Sequence, residues 1–364
     1  MREKTFKFKN WLLPFSFLYG LGVRIRNKFF DWGIYKSTQF PIPIICVGNL
    51  AVGGTGKTPH TEYLINLLKE DYNVAVLSRG YKRKTKGYIE ATERSTPLAI
   101  GDEPCQIKNK FPDVTVAVDR DRCHGIKQLI KKTNPTIDVI ILDDAFQHRR
   151  VKPGLSILLT DYNRLFTEDK LLPAGQLREP TKGKDRAQIV MVTKCPKDIK
   201  PIDFNILSKH LELYPFQDLF FSSLKYGDLT PVFSSATTAK RPLSSIQKDE
   251  EILLVTGIAN PTSLHEKLAH YNSNITTLEF RDHHNFKISD IENIKNQFNT
   301  LKGKNKIIIT TEKDAIRLKN IAEIPDDIKN NLYALPVKIS ILQQQNYKFT
   351  KKIFNYVREN QRNR

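Results

Sequence analysis

The sequence predicts an α/β protein of two domains joined by a small β linker, and three observations predict it. Short apolar, β-branched runs alternate with helical stretches from Pro41 to Thr193. A Gly-rich loop, Ala51 to Thr58, follows the first of these runs. A second strand–helix series begins at Ile252, after an interval dotted with Pro, Ser and Thr. Alternation of this kind builds a mostly parallel sheet with helices on both faces, because each parallel pair needs a crossover long enough to hold a helix.

The elements follow in order. Ile42–Val47 reads as a buried strand, and Thr58–Lys69 as the helix after the Gly-rich loop. Further strands are expected at Val74–Leu77, Val114–Val118, Ile137–Leu142, Ile157–Thr160 and Ile189–Thr193, with helices at Glu103–Lys110 and Asp121–Lys132. The interval from Tyr214 to Lys248 breaks the rhythm, and within it Leu219–Leu224 and Leu229–Phe233 around Gly227 suggest a hairpin. The second series places strands at Ile252–Thr256, Ile275–Phe280, Lys306–Thr310 and Leu332–Ile339. The expected map is an N-terminal segment 1–36, a first domain 37–213, a β linker 214–248 and a smaller α/β domain 249–364.

Composition narrows the class. With 364 residues, 40% of them hydrophobic and 27% charged, the chain can bury a large core without disulfide staples. That excludes a disordered tail, a low-complexity chain and a polytopic membrane protein. Cys46, Cys105, Cys123 and Cys195 lie far apart, with no CxxC and no zinc spacing, as reduced thiols of a cytosolic protein do. The net charge of +19 favours an anionic partner: nucleic acid, a membrane surface or a phosphorylated substrate. No helix-turn-helix, RNP-like or zinc module is visible, which argues against nucleic acid.

Much of that charge flanks an apolar N-terminus. Arg2, Lys4, Lys7, Lys9, Arg24, Arg26, Lys28 and Lys36 face only Glu3 and Asp31 across residues 1–36. The uncharged run Trp11–Val23 between them is short of the ~20 residues that a spanning helix needs. Pro14 suits a first helical turn, and Phe15, Leu18, Leu21, Gly22 and Ile25 recur at helical spacing. Bulky apolar side chains beside Lys and Arg suit a helix lying on an anionic leaflet.

Residues 51 to 58 read Ala-Val-Gly-Gly-Thr-Gly-Lys-Thr, a Walker A loop in which only the leading Gly departs, here Ala51. The backbone N–H groups of Ala51, Val52, Gly53, Gly54, Thr55 and Gly56 are placed to wrap nucleotide phosphates, Lys57 to reach the β/γ-phosphates and Thr58 to offer a hydroxyl to Mg²⁺. Ile137–Asp144 is an apolar strand ending in Asp143 and Asp144, the form of a Walker B site that holds Mg²⁺ directly or through water. The base-reading [NT]-K-x-D of GTPases is missing, since Pro196 stands where Thr193-Lys194-Cys195 would need an Asp.

Further polar segments follow: Ser78-Arg79-Gly80-Tyr81, Gly101-Asp102-Glu103-Pro104, Asp143-Asp144-Ala145-Phe146-Gln147-His148-Arg149-Arg150, and Leu177-Arg178-Glu179-Pro180 within a longer LPAGQLREP run. The second half adds Gly257-Ile258-Ala259-Asn260-Pro261, Phe280-Arg281-Asp282-His283-His284 and Thr311-Glu312-Lys313-Asp314. Together with Val47-Gly48-Asn49-Leu50, this series closely resembles the tetraacyldisaccharide 4'-kinase family, the lipid A 4'-kinases of Gram-negative bacteria. The resemblance runs through nearly the whole chain in the expected order.

What the resemblance implies is two α/β/α sandwich domains, the first of P-loop NTPase type, and Mg²⁺-dependent transfer of the γ-phosphate of ATP. The acceptor would be the 4'-hydroxyl of a tetraacylated glucosamine disaccharide 1-phosphate, at the cytoplasmic face of the inner membrane. Carried over by motif, Asp102 and His283 form the carboxylate–histidine pair at the acceptor; a sugar hydroxyl needs such a base at neutral pH. They are expected on separate domains, meeting as a cleft closes. Arg178 is expected to neutralise the transferring phosphoryl group and Glu179 to help hold Mg²⁺, with Arg79, His148 and Arg149 as phosphate or sugar contacts. The phosphate loop alone also suits a partitioning- or chaperone-type NTPase switch, although Val52 replaces the signature Lys of that class, or a kinase of a soluble small molecule.

Overall fold

A computed structural model describes residues 8–233, 239–258, 260–282, 284–303, 305–321 and 323–361. In chain order the elements are α1 (Leu13–Asp31), β1 (Ile44–Asn49), α2 (Lys57–Leu68), β2 (Val74–Ser78), β3 (Ile89–Glu90), α3 (Pro97–Ile100), α4 (Asp102–Lys110), β4 (Thr115–Val118), α5 (Arg122–Ile130), β5 (Val139–Asp143), β6 (Leu155–Asp161), β7 (Ile189–Thr193), α6 (Pro201–Leu211), β8 (Asp218–Tyr226) and β9 (Thr230–Pro231). The second half adds β10 (Glu251–Thr256), α7 (Thr262–Ala269), β11 (Ile275–Glu279), α8 (Ile288–Thr300), β12 (Lys306–Thr311), α9 (Glu312–Lys319), α10 (Asp326–Asn331), β13 (Leu332–Leu335), β14 (Val337–Ile341) and α11 (Asn346–Gln361).

Two compact units result: 1–93 with 107–224 and 339–364, and 94–106 with 225–338. The larger sheet runs β14-β8-β7-β6-β1-β5-β2-β4-β3. Strands β1, β2, β4, β5, β6 and β7 are buried along nearly their whole length and pair in parallel, so apolar residues fill both faces rather than alternating. From β1 the chain first winds outward to β2 and β4, then returns through β5 and continues on the other side of β1 through β6, β7 and β8. The carboxyl ends of β1 and β5 therefore stand at the point where the winding reverses, the place where open α/β sheets bind ligands. In the smaller unit a five-stranded sheet, β11-β10-β12-β13-β9, is parallel except for β9, and α8 lays Ile291, Ile294 and Phe298 into its core.

Several expectations change. Leu219–Leu224 and Leu229–Phe233 do not make a hairpin: β8 continues the larger sheet parallel to β7, while β9 pairs antiparallel with β13 in the smaller one. Leu332–Ile339 is two strands, divided at Pro336, which has no N–H for a ladder; β13 belongs to one sheet and β14 to the other. The C-terminal helix, expected in the smaller domain, belongs to the larger unit. The Tyr356 hydroxyl accepts from Ile44 N and donates to Ile44 O, both at 2.9 Å, and Phe349 packs edge-on against Phe220 and Tyr63. Residues 94–106, expected in the first domain, cluster with the smaller unit. Asp102 therefore shares a unit with Phe280–His284 instead of facing that segment from another domain. The four cysteines are free thiols.

Candidate active site

The phosphate loop is shaped by its glycines and by the segment that backs it. Gly53 and Gly56 take φ of +105° and +86°, which residues with a Cβ rarely adopt. A Cβ built on Gly53 or Gly54 would meet no atom within 4 Å, so the loop borders open space of the kind a phosphate group needs. Ala51 lies in an antiparallel bridge with Leu177, Val52 N donates to Gln176 O at 2.8 Å, and Arg178 N donates to Leu50 O at 2.7 Å. Ala51 has no positive φ, which is why the leading Walker glycine is dispensable here.

Side chains tie down the far side of the loop. Asn49 Nδ2 donates to Thr55 Oγ1 at 2.8 Å, and Thr193 Oγ1 donates to Thr55 O at 2.9 Å. His60, buried in the first turn of α2, bonds Gly56 O through Nδ1 at 2.7 Å and Ser222 Oγ through Nε2 at 2.9 Å. Since Gly56 O can only accept, Nδ1 carries the proton and Nε2 accepts from the Ser222 hydroxyl. Burial, opposed only partly by the Gly56 bond, lowers the His60 pKa to about 4, so the ring is neutral.

Walker B lies beside it. Thr61 Oγ1, in α2, donates to the buried Asp143 Oδ1 at 3.0 Å, linking the end of β5 to the phosphate-loop helix. The next residue, Asp144, takes the left-handed conformation with φ +48°. Its Oδ1 stands 3.8 Å from Lys57 Nζ and 3.2 Å from Arg178 Nη1, which also reaches Oδ2 at 3.3 Å. Burial raises the Asp144 pKa, but Lys57, Arg178 and Arg122 together outweigh it, and the carboxyl is held below its ordinary value. An ionised carboxylate between two cations at the lip of a phosphate loop can share a divalent cation or exchange those cations with incoming phosphate.

Other expected contacts are differently employed. Both Glu179 oxygens accept from Arg186 Nη2, at 2.8 and 2.9 Å; Gln147 Nε2 adds a bond of 3.1 Å and Asn27 Nδ2 one of 3.3 Å. That set of donors makes Glu179 an anchor of the 176–180 segment and leaves it poorly disposed to ligate Mg²⁺. Arg149 is spent on α1, donating to Asn27 O at 2.8 Å and Asp31 Oδ1 at 2.6 Å beneath the Phe30 ring, so it is no phosphate contact. His148 lines a cavity of about 660 Å³ with Cys46, Phe146 and Arg186. Its Nε2 is buried without a hydrogen-bond partner among the described residues, and burial, reinforced by Arg122, lowers its pKa to about 4. Asp121, Cys123 and His148 bring ligand atoms within 4.8 Å of one another, but Arg122 and Arg150 beside them oppose a bound cation.

In the smaller unit Asp102 opens α4, and its Oδ2 accepts from Arg317 Nη2 at 2.6 Å. His284 is held by Asp290 Oδ2 at 2.8 Å and packs against the rings of Phe280 and Phe286. His283 lies outside the described residues.

The family model described as tetraacyldisaccharide-1-P 4'-kinase matches residues 8–357. The chain belongs to that family. It is 58% identical to the tetraacyldisaccharide 4'-kinase of Bacteroides thetaiotaomicron, covering all of this chain and 97% of the relative, and 46% identical to that of Flavobacterium johnsoniae, covering 96% and 97%. A crystal structure of LpxK from Aquifex aeolicus in complex with ATP matches with a TM-score of 0.73 at 30% identity, over 96% of this chain and 99% of that one.

For this kinase, sequence reasoning missed residues that act from inside the fold. Arg122 is buried at the start of α5, and its pKa is lowered by burial and by Arg79 against the pull of Asp144. Nothing in Asp119-Arg120-Asp121-Arg122 distinguishes it from a solvated charge run. His60 and Arg186 likewise act through partners that the local sequence does not announce: Ser222, 162 residues from His60, and the Phe146 ring, 40 residues from Arg186.

Proposed function

We propose that the kinase transfers the γ-phosphate of ATP to the 4'-hydroxyl of tetraacyldisaccharide 1-phosphate at the cytoplasmic face of the inner membrane. The observation that carries this reading is the Lys57–Asp144–Arg178 cluster at the mouth of the phosphate loop. The main-chain N–H groups of Ala51, Gly53, Gly54 and Gly56, together with Lys57, hold the triphosphate; contrary to expectation Val52 N and Thr55 N are not among them, being bonded to Gln176 O and Gly53 O. Arg178 offsets charge that spreads over the equatorial oxygens in the transition state.

The donor set fits Mg²⁺: hydroxyl and carboxylate oxygens at Thr58, Asp143 and Asp144, with Asp144 kept ionised by its neighbours. When bound there, the ion neutralises the β- and γ-phosphates and orients them. Asp102, paired with His283, accepts the proton of the acceptor hydroxyl as the new P–O bond forms.

The N-terminal helix supplies the membrane contact. No described helix is long and apolar enough to cross a bilayer. Helix α1 docks through its small residues: Ser16 Oγ donates to Leu171 O at 3.0 Å and accepts from Ala174 N at 2.9 Å, and a Cβ on Gly20 would approach Leu171 Cδ1 to 2.6 Å. Outward it presents Phe15, Phe17 and Leu18, with Trp11 in the turn just before it, all more than half exposed, and the basic residues Arg24, Arg26 and Lys28 follow in the same helix. That surface suits an anionic leaflet, and Tyr19, bonded to Arg178 O at 2.7 Å, ties the helix to the catalytic segment.

Incubation with γ-labelled ATP and tetraacyldisaccharide 1-phosphate tests the reading. Label is expected on the sugar, and label found only in inorganic phosphate overturns it.

A further inference from the structure

Three segments that the phosphate-loop chemistry does not use meet on one guanidinium. Arg317, almost wholly buried in α9, donates through Nη1 to Asp314 Oδ1 at 2.8 Å and to Gly257 O at 3.4 Å. Through Nη2 it donates to Asp102 Oδ2 at 2.6 Å. Gly257 opens the GIANP segment, Asp314 closes the TEKD segment and Asp102 belongs to GDEP. All four residues lie in the smaller unit.

Asp314 does not account for Arg317 by itself. Its Oδ2 already accepts from Gly257 N and from Thr311 Oγ1, both at 2.8 Å, which fixes the carboxylate before the guanidinium is counted. Arg317 therefore projects from a rigid frame, and its second arm is directed at a residue 215 positions away in the chain. A planar fork held at one arm fixes the direction of the other, which an ammonium on a flexible stem does not.

We propose that Arg317 is a positioning residue for phosphoryl transfer: it holds the Asp102 carboxylate in the orientation from which it takes the acceptor proton, with Asp314, Thr311 and Gly257 as its frame. The proposal rests on the reading of Asp102 as base. A base held in near-attack geometry contributes to kcat and little to nucleotide binding, so the two roles separate kinetically.

A double-mutant cycle in the full-length enzyme tests it, with Asp102→Asn, Arg317→Lys and the pair, measuring kcat and the KM for ATP with the lipid acceptor. Asp102→Asn is expected to lower kcat about 100-fold or more, the range of general-base catalysis. Arg317→Lys is expected to lower kcat at least ~10-fold while the KM for ATP stays within about twofold. The double variant should be no slower than Asp102→Asn alone. If Asp102→Asn lowers kcat but Arg317→Lys does not, or if the two losses multiply, the proposal falls and the base assignment stands. If Asp102→Asn retains kcat, the base assignment falls and takes the proposal with it. Should Arg317→Lys yield no folded protein, Thr311→Ala loosens the same frame and enters the same cycle, with the same outcomes deciding.

Discussion

Arg178 Nη1 lies 3.2 Å from Oδ1 of Asp144, and Lys57 Nζ lies 3.8 Å from the same oxygen. One carboxylate thus serves two cations drawn from segments more than a hundred residues apart. Lys57, Arg178 and Arg122 hold the Asp144 carboxyl below the ordinary carboxylate range, so it carries its charge at neutral pH. Asp144→Asn is therefore expected to lower the kcat plateau by about 100-fold, the scale of losing an electrostatic group at a transferring phosphoryl. It should leave the acid limb of the pH–rate profile in place. A pH series from 5 to 9 checks this; an acid limb that vanishes in the variant would assign that limb to Asp144.

Glu179 is bonded to Arg186, Gln147 and Asn27. Glu179→Gln should destabilise the fold by about 1–3 kcal/mol, because a partly buried guanidinium loses its carboxylate. The Mg²⁺ concentration for half-maximal rate should not change. Urea denaturation and a Mg²⁺ titration separate the two effects, and a tenfold rise in the Mg²⁺ requirement would restore Glu179 as a ligand.

His60 is neutral in the folded chain, with its pKa lowered to about 4 from 6.5. The unfolded chain binds the proton first, so the stability this site contributes is complete above pH 6.5 and drains away as pH falls toward 4. The full loss is about 3 kcal/mol. Urea midpoints at pH 7 and pH 5 should differ more for the wild-type chain than for His60→Gln. His148, lowered to about the same value, contributes a similar slope that His60→Gln leaves intact. Equal slopes in both proteins would reject the account of His60.

Phe15, Phe17 and Leu18 are exposed on α1, while Ser16 and Gly20 face the protein. Phe17→Glu with Leu18→Glu should sharply weaken sedimentation with vesicles of anionic phospholipid and leave ATP binding unaltered, since neither side chain supports the phosphate loop. Unchanged sedimentation would refute the leaflet-facing assignment.

What was legible in the sequence was what eight or so neighbouring residues decide. Gly53, Gly56 and Lys57 form a phosphate loop because left-handed backbone and a helix N-terminus are local properties, and the apolar run into Asp143 could only be a buried strand. The family resemblance, carried by the order of such segments, was equally open to view. Strand partners were not. Leu219–Leu224 beside Gly227 has the local signature of a hairpin arm, yet the burial available next to β7 placed it in a parallel pair.

The sequence by itself determined the fold class, the nucleotide loop and the acidic strand end, since backbone freedom and hydrophobic patterning act within a few residues. Tertiary structure alone decided that Asp102 joins the unit of Arg317, that α11 closes on β1 through Tyr356, that Glu179 is bonded to Asn27 of α1, and that His60 meets Ser222. Each of these depends on which distant partner reaches a polar group first as water is excluded, and a charged or hydroxylated side chain reads the same in one dimension whether it meets solvent, a cation or a carbonyl.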